Sequence, residues 1–197
     1  MLGSILIAVI LIVLISLALW SIIRARTSCR QPSCGKNCAG CPKATDIKVL
    51  RASEEWQRAG AYSVRVEGMN RQHHIPLRDE FDEHDCDGTK YIVLLDDGYP
   101  VATCRFYENT TDCGKAAGSV VLGRVVVLPE YRGQGLGKKV VSEAEAWAKE
   151  LGYKQIDIDS RIEAIKFYEK LGYIHTSSND DIIKSGSFEC VGMFKKL

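Results

Sequence analysis

Apolar and polar positions change rhythm several times along the chain, and each change marks a predicted element. Met1 to Ile23 contains no charged side chain and is dominated by Leu, Ile, Val and Ala. As one helix it would span about 34 Å at 1.5 Å per residue, enough to cross a hydrocarbon core. The charged n-region, shorter apolar run and small-residue cleavage site of a secretory signal are not evident. The expectation is therefore a single transmembrane helix over 1–23, followed by a polar linker over 24–44.

From residue 45 onward the pattern is that of a globular domain. Glu54-Glu55-Trp56 opens a short helix with Ser53 as its expected cap. Tyr91 to Leu95 and Val101 to Tyr107 read as strands joined by the turn Asp96-Asp97-Gly98-Tyr99-Pro100. Ser119 to Leu128 supplies another strand, ending in the β-branched run Val125-Val126-Val127. Leu136, Val140, Ala144, Trp147, Ala148 and Leu151 then recur at helical spacing. A strand at Lys154 to Ile158 follows, then a helix carrying Ala164, Ile165, Phe167, Tyr168 and Leu171 that closes at Gly172. Phe188 to Lys195 is the last expected strand. Strands first, then helix and strand in alternation, predict an α/β fold with a mixed central sheet flanked by helices. About 150 residues are enough for one domain with its own core.

Charge narrows the partners. Lys and Arg number 26 against 25 Asp and Glu, for a formal net charge of +1. No broad polyanion-binding surface follows, so nucleic acid is not expected as a partner. The basic residues beyond the apolar run are Arg24, Arg26, Arg30, Lys36 and Lys43, and no Lys or Arg precedes it. By the positive-inside rule the chain is expected at the cell membrane with its C-terminal domain in the cytoplasm.

Four of the eight cysteines, Cys29, Cys34, Cys38 and Cys41, fall in the linker TSCRQPSCGKNCAGCPK. Its small and turn-forming residues cannot build an apolar core. Four thiolates on such a loop can surround zinc, iron or copper(I), or hold an iron–sulfur cluster. A reversible thiol switch competes with metal, whereas lasting disulfides are disfavoured on a cytoplasmic face. Cys86, Cys104, Cys113 and Cys190 are scattered, and Cys104 reads as a small buried hydrophobe.

The most informative chemistry lies at PEYRGQGLGK, residues 129–138, between the strand and the long helix. Glycines let backbone approach a ligand, and the free amides at a helix N-terminus point at its oxygens. Arg132, Lys138 and Lys139 add positive potential. The ligand expected here carries phosphate. Glycines at 133, 135 and 137 fail the Gly-x-Gly-x-x-Gly dinucleotide fingerprint, and Lys139 after Gly137-Lys138 fails the nucleotide-hydrolase loop. What remains, Arg-x-x-Gly-x-Gly, resembles the pyrophosphate loop of the GNAT (GCN5-related) acetyltransferases. Downstream, AIKFYEKLGY resembles the segment in which that family places a Tyr beside the coenzyme A thiol.

The resemblance covers about residues 45–197 and implies a GNAT fold and transfer of an acetyl group from acetyl-CoA to a primary amine. It implies that Arg132, Gly133, Gln134, Gly135, Leu136, Gly137 and Lys138 hold the pyrophosphate, and that Val125, Val126 and Val127 pair with the pantetheine arm. Tyr168 would protonate the departing thiolate. Arg161 stands where many members have an Asn that touches the cofactor. A narrower likeness to the branch containing ElaA-type enzymes rests on Arg65, Gln72, Ile75-Pro76-Leu77 and Glu80-Phe81-Asp82-x-x-Asp85. Here Arg71 replaces a usual Glu, and Cys190 stands where that branch often has His.

Two local readings stay open. The run Asp79 to Asp85 is most simply a solvated loop; alternatively its carboxylates attract an ammonium acceptor or take its proton. His73, His74 and His175 are further candidates for that proton. The N-terminal part resembles the small Cys-rich membrane proteins associated with bacterial ferrous-iron transporters, which implies a role near iron transport or metal sensing. A module that only senses acetyl-CoA is the alternative to an enzyme.

Overall fold

The structure is a computed structural model and describes residues 46–110, 118–176, 182–185 and 188–197. The expected membrane span and Cys29, Cys34, Cys38 and Cys41 lie outside the described residues. Among those described, no helix is long and apolar enough to cross a membrane, and no cluster of potential metal ligands occurs.

Among the described residues eight strands form one mixed sheet: β1 (Ile47–Arg51), β2 (Lys90–Asp96), β3 (Tyr99–Glu108), β4 (Ser119–Val127), β5 (Gln155–Arg161), β6 (Ile174–His175), β7 (Ile182–Ser185) and β8 (Phe188–Lys196). Their order is β1-β2-β3-β4-β5-β8-β6, with β7 also paired to β8. Every pairing is antiparallel except β4 with β5. The β2–β3 hairpin is tighter than the five-residue turn its sequence suggests. Only Asp97 and Gly98 connect the strands, with φ of 48° and 83°. Two left-handed residues match the twist of the flanking strands, and Asp-Gly suits them.

Helices cover both faces. Successive residues of a strand point to opposite faces, and β2 is buried on both. Ile92 and Leu94 join the main core with Val140, Val141, Ala144 and Ala148 of the helix Leu136–Glu150, while Tyr91, Val93 and Leu95 pack with Ala61 of the helix Glu55–Arg65. In chain order these helices are α1 (Glu55–Arg65), α2 (Leu77–Glu80), α3 (Leu136–Glu150) and α4 (Ile165–Glu169). Cys104 is buried in the main core, as expected, and its thiol donates to the Val140 carbonyl at 3.6 Å. Leu151 departs from the predicted stripe. It lies just past the last helical residue and is 48 % exposed.

The expected cap of α1 also moves by one residue. Glu54, not Ser53, is the N-cap. The Gln57 side chain reaches back to accept from the Ser53 and Glu54 amides at 2.7 and 3.0 Å, in a capping box. At its far end α1 continues into a π-helical turn, Val66–Arg71. Gly68 in that turn is required by close approach, because a Cβ there would stand 2.5 Å from Val126 Cγ1. That contact sets the turn directly against β4.

Candidate active site

The parallel pair β4 and β5 is joined over only three positions, Ser119 to Val121 against Gln155 to Asp157. Beyond these the strands separate. One cause is visible in β4: its register against β3 shifts between Thr103 and Arg105, and Arg124 at that bulge has φ of 52°. A bulge bends its strand and sharpens the local twist. The edge of β4 from Leu122 to Val127 therefore faces a cleft of about 730 Å³ rather than β5.

The loop leaving β4 closes one end of the cleft. Gly133 and Gly135 adopt φ of 76° and 81°, and a Cβ at either would meet no protein atom within 4 Å. Open space thus lies beside this backbone, a cradle of the kind a bulky ligand fills. The first amide to bond within α3 is that of Lys139, to the Gly135 carbonyl at 3.1 Å. The amides of 136–138 head the helix at its positive end, and its first turn carries no acidic residue. Gly137 holds α3 close to α4, where a Cβ would stand 3.4 Å from Phe167 Cζ.

This combination, a splayed parallel pair with a glycine loop and a helix N-terminus at one end, suits a ligand with an extended arm and a phosphate group. The arm can pair with the free edge of β4 while the loop amides take the phosphate oxygens. Residues 51–173 match the family model described as the acetyltransferase (GNAT) family. The chain belongs to the GNAT acetyltransferase family.

Relatives within the GNAT family agree. An uncharacterised acetyltransferase of Streptococcus pyogenes serotype M1 is 36% identical over 97 residues, which are 49% of this chain and 64% of that protein. The chain thus spans just under two thirds of the length of that streptococcal relative. A Bacillus subtilis protein described as a candidate acetyltransferase is 31% identical over 129 residues, 64% of this chain and 83% of its own length. Among solved structures, a candidate N-acetyltransferase from Lactobacillus plantarum superposes with a TM-score of 0.67 at 30% identity, over 78% of this chain and 99% of that one. Escherichia coli ElaA shares the fold, with a TM-score of 0.62 at 18% identity over 76% and 98% of the two chains.

Within this GNAT cleft the expected residues separate into groups. Val125, Val126, Val127, Arg132, Gly133, Gly135, Leu136, Gly137, Lys138 and Tyr168 all line it. Gln134 is not among the lining residues; its side-chain amide donates to the Glu130 carbonyl at 3.4 Å. The Lys139 ammonium turns away to the Ile47 carbonyl at 3.3 Å. Arg132 donates to the Val127 carbonyl at 3.0 Å and to Gln72 Oε1 at 2.6 Å, tying the end of β4 to the segment after the π-helical turn. Burial and the nearby Arg161 guanidinium hold its pKa below the usual arginine value. Two cations placed this way favour an anion between them.

Tyr168 is 9 % exposed, with its ring edge-on to Phe167 and Tyr173 at 4.9 and 5.5 Å. Burial, then the Cys104 and Cys190 thiols, push its phenol pKa upward. It stays protonated at neutral pH, the state a proton donor needs. Of the three candidate histidines only His73 lines the cleft, its ring edge-on to Phe188 at 5.5 Å. Burial and then Arg161 and Arg132 push its pKa down, so it is neutral at pH 7. His175 instead faces Glu169 at 3.6 Å.

The acidic run is solvated only in part: Asp79 and Glu83 are exposed, whereas Glu80, Asp82 and Asp85 are held by arginines. Glu80 is 2 % exposed, and Arg65 Nε donates to its carboxylate at 2.8 Å. The Arg65 Nη atoms grip both oxygens of Asp85 at 2.5 and 2.9 Å. Arg105 reaches Asp82 and Asp85 at 2.6 and 2.5 Å, and Arg124 reaches Asp82 and Glu80 at 3.0 and 3.2 Å. Tyr91 donates to Asp85 at 2.7 Å. Against the cost of burial, hydrogen bonds from Arg65, Tyr91 and Arg105 hold the Asp85 carboxyl far below the usual carboxylate range. Each of these three carboxylates is paired with at least one arginine, so none is free for an acceptor, although Arg105 Nε and Nη1 are buried without a hydrogen bond of their own. The sequence held a clue in Arg105, a cation at a buried strand position that must find an anion.

Proposed function

We propose that this protein transfers the acetyl group of acetyl-CoA to a primary amine by direct attack in a ternary complex. The observation that carries this reading is the unpaired edge of β4 running into the glycine loop. Backbone groups of Val125, Val126 and Val127 would pair with the pantetheine amides, and an amide there would polarise the thioester carbonyl. The amides of the Gly133 to Lys138 segment would hold the pyrophosphate. Tyr168, buried and protonated, would give its proton to the sulfur as it departs.

Calorimetric titration of the full chain with acetyl-CoA tests this, beside the Gly135→Glu variant. Wild type should bind, and the variant should lose binding, because the side chain puts bulk and negative charge into the phosphate cradle. Thiol release on adding an amine completes the test; binding without release to any amine would favour the acetyl-CoA-sensing alternative.

For residues 1–44 the proposal rests on sequence alone. The uncharged run 1–23 and the basic residues that follow support a single membrane anchor with the acetyltransferase domain in the cytoplasm. Cys29, Cys34, Cys38 and Cys41 support a soft-metal site, and their setting supports a place near a ferrous-iron transporter. Metal analysis of the purified full chain and of a Cys29/Cys34/Cys38/Cys41→Ser variant checks the site: equal metal content would remove it.

A further inference from the structure

One carboxylate on the cleft wall is answered by no partner. Glu80, Asp82 and Asp85 are held by arginines, and Glu163 lies 3.5 Å from Arg161. Asp159 lines the cleft and is exposed, and among the described residues its carboxylate makes no hydrogen bond or ion pair. It stands on β5 two residues beyond Asp157, the last position paired to β4, just where the strands begin to part. Strand alternation puts it on the face of Asp157 and Arg161, opposite Ile156 and Ile158, which belong to the core beneath α3. The facing position across β8 is Gly192, which brings no charged group; the room beside it is taken by Thr176 and Ile183, with Thr176 Oγ1 3.2 Å from where a Cβ would stand.

The charged and titratable groups around it come from every neighbouring element. Arg124 approaches from β4 but is already bound by Glu80 and Asp82. Tyr107 lies within electrostatic reach on β3, its ring stacked on His84 at 4.1 Å. Arg161 follows on the same strand with its guanidinium 3.9 Å from the centre of the Phe188 ring, and Glu163 comes next in the turn. Cys190 feels Asp159, Arg161, Glu163 and Arg124 together, from β8. The other groups here are bonded, stacked or neutral, while Asp159 keeps an open negative oxygen facing the cleft.

We propose that Asp159 receives the ammonium group of the acceptor and takes its proton, which makes the acceptor class a cationic primary amine. This rests on the acetyl-transfer reading above and adds the residue that selects and activates the second substrate. An N–H of the ammonium donates to Asp159, and the proton passes to the carboxylate, freeing the nitrogen lone pair. That pair forms the C–N bond at the thioester carbonyl carbon, and the C–S bond breaks with its electrons going to sulfur. Tyr168 protonates the sulfur and regains a proton from the nitrogen through water, while Asp159 releases its own to solvent. The sum is thioester plus ammonium giving amide, thiol and one proton. An amine that stays protonated at pH 7 cannot attack unaided, so the carboxylate supplies what bulk water at that pH does not.

The test uses the full chain, acetyl-CoA, and n-butylamine, lysine and spermidine as acceptors, comparing wild type with Asp159→Asn. Calorimetry should give the variant an acetyl-CoA affinity within about threefold of wild type, since it lies away from the glycine loop. At pH 7 its kcat/KM for amine should fall by about 100-fold, within the range for a positioned base. Between pH 7 and 9 that value should climb about tenfold per pH unit, following the free-amine fraction, while wild type stays nearly flat. Retention of kcat/KM within threefold at pH 7 overturns the proposal. So does an equal loss at every pH, which a merely structural role would give. So does a wild type that binds acetyl-CoA yet acetylates none of the three cations. Failure of wild type to bind acetyl-CoA at all overturns the underlying acetyl-transfer reading, and this assignment with it.

Discussion

Two charged regions sit on either side of β4 and behave in opposite ways. Under the β3–β4 bulge, Arg65, Arg105 and Arg124 meet Glu80, Asp82 and Asp85 in a closed set, and two of the carboxylates are almost wholly buried. Along the cleft, the Arg132 guanidinium donates to a carbonyl and an amide oxygen, and the Asp159 carboxylate accepts from no group among the described residues. The lesson is that the number of charges says little. A charge whose partner is present builds the scaffold, and a charge whose partner is missing is where a substrate can enter.

The contrast is most directly broken from the closed side. Arg65→Leu would leave Glu80 and Asp85 buried without their main partner, and the expected loss of stability is about 3–5 kcal/mol. Denaturant unfolding measures it, and a loss below 1 kcal/mol would show that the cluster does not act as a unit. On the open side, Tyr168→Phe removes one hydroxyl and little packing. It should lower kcat by about 10- to 100-fold, or about 1.4–2.7 kcal/mol, with acetyl-CoA affinity unchanged. Steady-state kinetics beside calorimetry separates the two effects.

Acid sharpens the contrast further. The Asp85 and Asp82 carboxyls are both held below their ordinary value of 3.8 in the folded chain. A depressed carboxyl contributes stability that is complete above its unfolded pKa and fades as pH falls toward the folded one. Stability should therefore hold down to about pH 4–5 and decline below that, more shallowly in Asp85→Asn, as thermal unfolding across pH would read. The smallest effect belongs to the rim. Arg51 pairs with Glu143 at 2.7 Å and also with Glu150, but it is half-exposed, and Arg51→Ala should cost less than about 1 kcal/mol.

Legibility in the sequence followed the range of the interaction. The stripe from Leu136 to Ala148, the strand at Val101 to Tyr107 and the glycine loop were readable because each is a local pattern with its own period. Tyr168 and the three valines were placed by family likeness, and all four reach the cleft. Long-range partners were not readable. Arg65 and Asp85 are 20 residues apart, Arg124 and Asp82 are 42 apart, and nothing in Asp79 to Asp85 distinguishes a solvated run from a buried one until the arginines arrive. Asp159 was missed for the converse reason. It falls one residue past the strand expected at Lys154 to Ile158, which in the structure runs on to Arg161, and its significance lies in the partner its carboxylate lacks.

The three-position seam between β4 and β5 has a mechanical consequence. Seen as a plate, the sheet is two panels sharing a narrow hinge, one from β1 to β4 and the other from β5 to β8. A molecule lodged along the free margin of β4 would act as mortar between them, supplying contacts the chain withholds from itself. Stiffness would then rise with occupancy: at a hundred times the dissociation constant the folded state gains about 2.7 kcal/mol. The amides of residues 122–127 would slow their hydrogen exchange along with it.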